Sequence, residues 1–186
     1  MTSSINFKPK IEKIVETILY LSHKISTLDT YRVVKLIYLA DREHLNRYGR
    51  PITFDEMVAM EYGPVPSNAY NILKGSSVVN GQKMEKLPFS LETIETLTYI
   101  SNPSRAINRK LFSKSDLNVI DEIVEQYGNM DFRKLYHETH QHVAYRNAWA
   151  SRGSSKSHTM LFEDMIDENA SKQDIVSDLT AISLHI

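Results

Sequence analysis

The chain has 186 residues, no cysteine, and 22 basic against 23 acidic side chains. That length suffices for one domain with a substantial core, and the lack of cysteine excludes disulfides and thiolate-held zinc. A net charge of −1 lacks the basic excess of an autonomous nucleic-acid binder. No apolar run approaches the roughly 20 residues of a membrane span, and MTSSINFKPK has no apolar signal core, so a soluble cytoplasmic protein is expected.

Ile11, Ile14, Val15, Ile18, Leu19 and Ile25 recur at three- and four-residue spacing, which predicts an amphipathic helix over 10–24 starting near Pro9. After a turn at 26–29, Asp29 or Thr30 is placed to cap a second helix. Its Val33, Val34, Leu36, Ile37, Tyr38, Leu39 and Ala40 make it apolar almost all round, as for a helix in the middle of a core. It should stop at Tyr48, because Gly49 suits a left-handed cap and Pro51 cannot continue the helical hydrogen bonds.

Residues 52–62 read two ways. Ile52, Phe54, Val58, Met60 and Tyr62 alternate like a strand, whereas Thr53-Phe54-Asp55-Glu56 has the form of a capping box; the strand is preferred over 58–62. Pro64 and Pro66 push Gly63 and Val65 into extended conformations and remove two backbone donors, which suits an edge or a turn. Ser67 then stands as N-cap of a short helix through Leu73, ending at Gly75.

Residues 75–86 read as a loop, and 91–100 as a strand ending at Asn102-Pro103 and pairing with 58–62. Leu117, Ile120, Val124 and Tyr127 mark a helix closed by Gly128. Asp131 caps another with a face of Phe132, Leu135, Tyr136, Thr139 and Val143. The stretch 151–159, SRGSSKSHT, reads as a flexible loop, followed by amphipathic segments at 161–166 and 175–186. The expected fold is therefore α+β and predominantly α-helical: a compact helical domain over 1–186, its core at about 8–150, with a small antiparallel β-ribbon.

His137, His140 and His142 lie in HETHQH, and two imidazoles three apart can share a helix face and a metal. His142 points elsewhere on such a helix and no H-E-x-x-H arrangement exists, so no metal is expected. Asp41, Glu43 and His44 have the spacing of an acid/base pair, but no nucleophile or oxyanion motif accompanies them. A buried Asp41–His44 hydrogen bond fixing the helix end is the stronger reading. The six glycines are isolated and fall in no phosphate-loop spacing, so no nucleotide and no other cofactor is expected. Arg42, Arg47 and Arg50 interleave with Asp41, Glu43 and Asp55 as on a solvated helix face.

Over 35–70 the residues K-L-x-Y-x-A-D, His44, Y-G-R-P-I-T, Asp55, Ala59 and Y-G-P-V-P resemble the Panacea antitoxin domain, the SocA-like or phage-associated GepA-like family. Leu111 to Leu117 is similar to the family's LSxxD helix start. His140 stands where the family has a histidine, while Tyr145 departs from the family's tryptophan, with Trp149 four residues on. The resemblance implies an antitoxin that neutralises a cognate protein toxin by contact, without a reaction of its own. One branch looks like a proteolytic adaptor, which implies a AAA+ protease as second partner. Asp41, His44, Gly49, Pro51, Gly63, Pro66 and His140 are then structural, and Tyr48, Arg50, Tyr62, Pro64 and Val65 are candidate toxin contacts, with internal packing as their other reading. The rival is a DNA-binding regulator of its own operon, built on two helices joined at 128–131, which the charge balance disfavours. A metal-dependent hydrolase on the histidines comes third.

Overall fold

Helix α1 (Ile11–Lys24) buries Ile14, Ile18, Leu19 and Leu21, the positions its spacing aligns on one face. Strand β1 (Leu28–Asp29) leads into helix α2 (Thr30–Tyr48), the axis of the molecule, with Val33, Leu36, Ile37 and Tyr38 at most 1% exposed. Asp29 is its N-cap, accepting from the Arg32 amide at 2.8 Å, and Gly49, at φ 69°, closes it by donating to the Leu45 carbonyl. The computed structural model describes residue 5, residues 7–168 and residues 172–183, apart from the Ile182 side chain.

Around α2 stand strands β2 (Met57–Met60) and β3 (Gly63–Pro66), helix α3 (Ser67–Leu73), strands β4 (Val78–Val79), β5 (Gln82–Lys83), β6 (Ser90–Ile94) and β7 (Leu97–Ser101), and helices α4 (Lys114–Tyr127), α5 (Phe132–His140) and α6 (Val143–Ser151). Strand β8 (Ser157–Thr159) and helices α7 (Phe162–Met165) and α8 (Lys172–Ser183) complete the order. α2 packs against α1, α3, α4, α5 and α7 as well as β3 and β7. The strands form three small antiparallel sheets, ordered β1-β7-β6, β3-β2-β8 and β4-β5, so the fold is α+β and mainly helical. Among the described residues no helix is long and apolar enough to cross a membrane.

Several local expectations are corrected. The strand expected at 58–62 is β2 at 57–60; Glu61 and Tyr62 form the turn to β3, and the partners of β2 are β3 and β8, not 91–100. Residues 91–100 belong to a hairpin that turns at Glu95, φ 56°, without a glycine, and its β7 pairs with β1 because that register buries Ile100 against Leu28. The expected loop at 75–86 holds the β4–β5 hairpin, turned by Asn80-Gly81 at φ 48° and 74°, the left-handed pair a type I′ turn requires.

Gly63 lies in a strand, but its φ of 101° is open only to glycine. Ser67 is the first residue of α3 and its hydroxyl caps nothing; the cap comes from elsewhere. The helix beginning at Asp131 stops at His140, so Val143 starts a new helix rather than extending the face. Part of the expected loop at 151–159 is β8, paired through Thr159, His158 and Ser157 with β2. The buried cluster reaches past 8–150 at both ends, taking in Ile5 and Phe7 before it and Met160, Phe162, Met165, Ile166 and Leu179 after it. The last three residues of the segment expected at 175–186 lie outside the described residues.

Candidate functional site

Two buried carboxylates organise the segment that follows α2. Asp41, from the last turns of the helix, accepts the amides of Ile52 and Thr53, both at 2.9 Å, and the Thr53 hydroxyl. Asp55 then accepts the amides of Asn68 (3.0 Å) and Ala69 (2.9 Å) and the Asn68 side chain (2.7 Å), acting as the missing N-cap of α3 across thirteen residues of sequence. Both are 0% exposed, and burial pushes both carboxyls up, Asp41 to about 6. Both carboxylates are turned inward, to backbone amides and to the Thr53 and Asn68 side chains, so these acids hold the fold.

The partner expected for Asp41 is also corrected, since His44 does not touch it. His44 Nδ1 meets the Arg50 carbonyl at 2.7 Å, and Nε2 faces both Ser115 Oγ (3.0 Å) and Asp116 Oδ1 (3.1 Å). Asp116 is a hub: it also accepts Lys13 Nζ at 2.7 Å, Arg50 Nη2 at 2.9 Å and the Ser113 amide at 2.9 Å, the last as half of a capping box that starts α4. Burial alone would raise its carboxyl, but the hydrogen bonds from His44 and Lys13 overcome it and hold it well below the usual carboxylate range. Serine, histidine and aspartate are together here, yet serine and aspartate meet the same ring nitrogen. A nucleophilic relay needs base and orienting acid on opposite nitrogens, so the hub is an ion-pair joint between α1, α2 and α4.

On the other side of α2 lies Lys35, 0% exposed, whose Nζ donates to the Pro64 carbonyl at 2.8 Å and sits 4.9 Å from the centre of the Tyr31 ring. No carboxylate meets it among the described residues, and burial lowers its pKa to about 7. Gly63 makes room for this arrangement: a Cβ there would stand 3.0 Å from His140 Cε1, 3.1 Å from Lys35 Nζ and 3.2 Å from Thr139 Oγ1. His140 in turn meets the Tyr136 carbonyl through Nδ1 at 2.7 Å and stacks on the Tyr136 ring at 3.6 Å, with Tyr145 edge-on at 4.4 Å.

From this chamber a run of rings continues to the surface. Phe132, 50% exposed, lies 4.6 Å from Tyr31, 5.9 Å from Tyr136 and 6.5 Å from Tyr62, which is 57% exposed. At the other end Tyr145 stacks on Trp149, whose ring carries the Arg152 guanidinium at 3.7 Å. The sequence signal was the spacing 132, 136, 140, one helix face, which also fits a face turned wholly into the core. Lys35, alone in an apolar run, was the signal for the buried amine.

Of the expected contacts, Tyr48 and Tyr62 are exposed and Arg50 is half-buried in the hub. Pro64 and Val65 are buried and pack inside the fold. Nor do the exposed ones meet: Tyr62 neighbours Phe132 beside the first turn of α2, while Tyr48 lies at its last, against His44, about 25 Å away at 1.5 Å per residue. The histidines separate as well. His137 is exposed, His140 is engaged as above, and His142 Nδ1 is hydrogen-bonded to the Tyr38 hydroxyl at 2.9 Å. Among the described residues no three histidine or acidic side chains gather as a metal site.

A family profile described as "Antitoxin SocA-like, Panacea domain" matches residues 33–146, well over half of the chain. These residues run from the start of the α2 core through Asp41, Asp55, Gly63 and Asp116 to His140 and Tyr145. No curated protein and no solved structure matches the chain significantly.

Proposed function

Because this chain belongs to the SocA-like, Panacea-domain antitoxin family, we propose that it neutralises a cognate protein toxin by direct binding, covering the toxin's working surface rather than altering it chemically. The family match across 33–146 carries the reading. It is supported by the state of the polar side chains that resemble catalytic groups: Asp41, Asp55, His44 and Asp116 are spent on backbone and ion-pair duties. A patch of about 800 Å² per partner with a few aromatic or arginine anchors is enough to block an active site. Two exposed places on the chain have that character, Tyr62 near the start of α2 and Tyr48 with Arg50 at its end. Delivery of the toxin to a AAA+ protease would use the same contact as a first step.

The test is a titration. The protein encoded by the adjacent gene is expected to co-purify with this chain when the two are co-expressed, and its activity in vitro should fall linearly with added antitoxin to an end point at the complex's fixed ratio. If substoichiometric amounts silence the toxin with no protease present, the chain is an enzyme. If silencing needs a AAA+ protease and ATP, the adaptor mode holds.

A further inference from the structure

Given neutralisation by contact, we infer that the toxin docks by adding an extended, basic segment as a further strand on the outer edge of β6. The register of the β6–β7 hairpin fixes which backbone groups that edge offers. Ile94 and Leu97 flank a two-residue turn and so form a bonded pair, and along an antiparallel ladder bonded pairs alternate with pairs whose amides and carbonyls point apart. Thr93–Thr98 and Leu91–Ile100 are then the pairs that point apart. The far side of β7 agrees: the Thr98 carbonyl accepts the Thr30 hydroxyl at 3.2 Å, and Ile100 stands opposite Leu28 of β1. Leu91 and Thr93 therefore turn N–H and C=O outward, and among the described residues no strand meets them there. Only main chain in the same extended form returns donors and acceptors at the spacing of alternate residues, so the backbone itself specifies a strand.

The side chains specify its sign. Residues 90–101 hold Glu92 and Glu95 and no lysine, arginine or histidine, and neither glutamate has an ion-pair partner among the described residues. Of the cations flanking the hairpin in sequence, Arg105 is held by Glu16, and Lys86 meets no acid among the described residues. β6 carries neither the proline nor the bulge that commonly closes an edge, so its remaining guard is the Glu92 charge, which repels a like strand and attracts an opposite one. Ile94 shares the face of Glu92 and is half-exposed beside half-exposed Leu97. The matching segment carries lysine or arginine opposite Glu92 and an apolar residue two places away, opposite Ile94. The Thr30–Thr98 bond fastens the hairpin at the first turn of α2, the end at which Tyr62 is exposed.

Other occupants fit less well. A second copy pairing edge to edge engages both outward residues only in the register that sets Glu92 against its own counterpart across the two-fold axis. Nucleic acid is repelled by the same carboxylates.

The experiment follows amide exchange by NMR in the full chain, free and in complex with the adjacent gene's product, and measures affinity by calorimetry and surface binding kinetics. In the free chain the Leu91 and Thr93 amides should exchange faster than those of Glu92 and Ile94, and in the complex both should slow about tenfold or more. Thr93→Pro removes an outward N–H but no bond of the ladder, so the melting curve should stay cooperative while affinity falls about tenfold or more. Thr93→Val loses the same hydroxyl contact with Thr98 yet keeps the N–H, and should bind like wild type. Glu92→Lys should slow association at low salt, with the deficit shrinking as salt is added; Glu125→Lys, exposed on α4, should not. The inference is overturned if the Leu91 and Thr93 amides exchange as fast in the complex as in the free chain, if Thr93→Pro and Glu92→Lys both bind like wild type, or if Thr93→Val loses as much affinity as Thr93→Pro. Neutralisation by contact survives each of these results. The inference is also overturned if the two amides are already protected in the free chain and Thr93→Pro dissolves a homodimer. If wild type forms no complex at all, the neutralisation reading fails and the inference falls with it.

Discussion

Lys35 makes stability depend on alkaline pH, and Lys35→Met should remove most of that dependence, leaving the share of the same sign that burial of Lys13 adds. In the unfolded chain the amine holds its proton up to about 10.5, whereas burial lowers it to about 7 in the fold. A depressed lysine means that the unfolded state binds more protons between those values, so stability rises with pH across that window and is lowest below it. Each tenfold in proton affinity is worth about 1.4 kcal/mol, so the full window spans on the order of 5 kcal/mol, and the slope near pH 8 is about 1.2 kcal/mol per pH unit. For a chain of this size that is a rise of roughly 3 °C in melting temperature per pH unit. Methionine matches the length of the stem and carries no charge. Its cost is the hydrogen bond to the Pro64 carbonyl, about 1 kcal/mol and independent of pH. The assay is thermal unfolding of both proteins from pH 7.5 to 9.5. That interval lies above the pKa of His142, lowered by burial to about 4, and below the buried tyrosines, which burial pushes up. The reasoning fails if Lys35→Met keeps the wild-type slope.

Gly63→Ala must adopt φ near 101° and crowd His140 and Lys35, so a loss of about 1–3 kcal/mol is expected by urea unfolding. Asp55→Ala removes the acceptor for two amides of α3 and should cost about 2 kcal/mol, with hydrogen exchange accelerated at Asn68 and Ala69 rather than throughout. Asp116→Ala leaves Lys13 buried without its carboxylate, and a loss of about 3–5 kcal/mol should appear in the melting curve; a change under 1 kcal/mol would show that the hub is dispensable.

Helices α1 to α5 were legible because their signals are local, whereas α6 was not, since Val143 fits the face of α5 as well as a helix of its own. Asp29 and Gly49 bound α2, Leu117, Ile120, Val124 and Tyr127 mark α4, and apolar spacing fixes which faces are buried. What escaped was non-local. Leu28 and Ile100 choose each other across the chain, the cap of α3 comes from Asp55, and the acid that meets His44 is Asp116, seventy-two residues on, rather than the adjacent Asp41. No window of sequence holds both members of those pairs. The Tyr62 and Tyr48 ends of the motif looked like one joint because they are near in sequence. Strand β2 carries the chain from the Asp41 end of α2 back to the level of Lys35, where β3 begins, and so it sets them apart.

Strand β8 carries a practical consequence for anyone shortening this protein. The family match ends at 146, yet residues 157–159 supply the outer hydrogen bonds of β2, and just beyond them Phe162 closes edge-on over Phe7 at 5.2 Å. A fragment cut at the family boundary would therefore bare one whole edge of β2 and one side of Phe7, offering a ready template to any extended chain nearby. The shortest well-behaved fragment should run past Ile166, and aggregation of a 1–146 piece would report a missing strand rather than a faulty antitoxin fold.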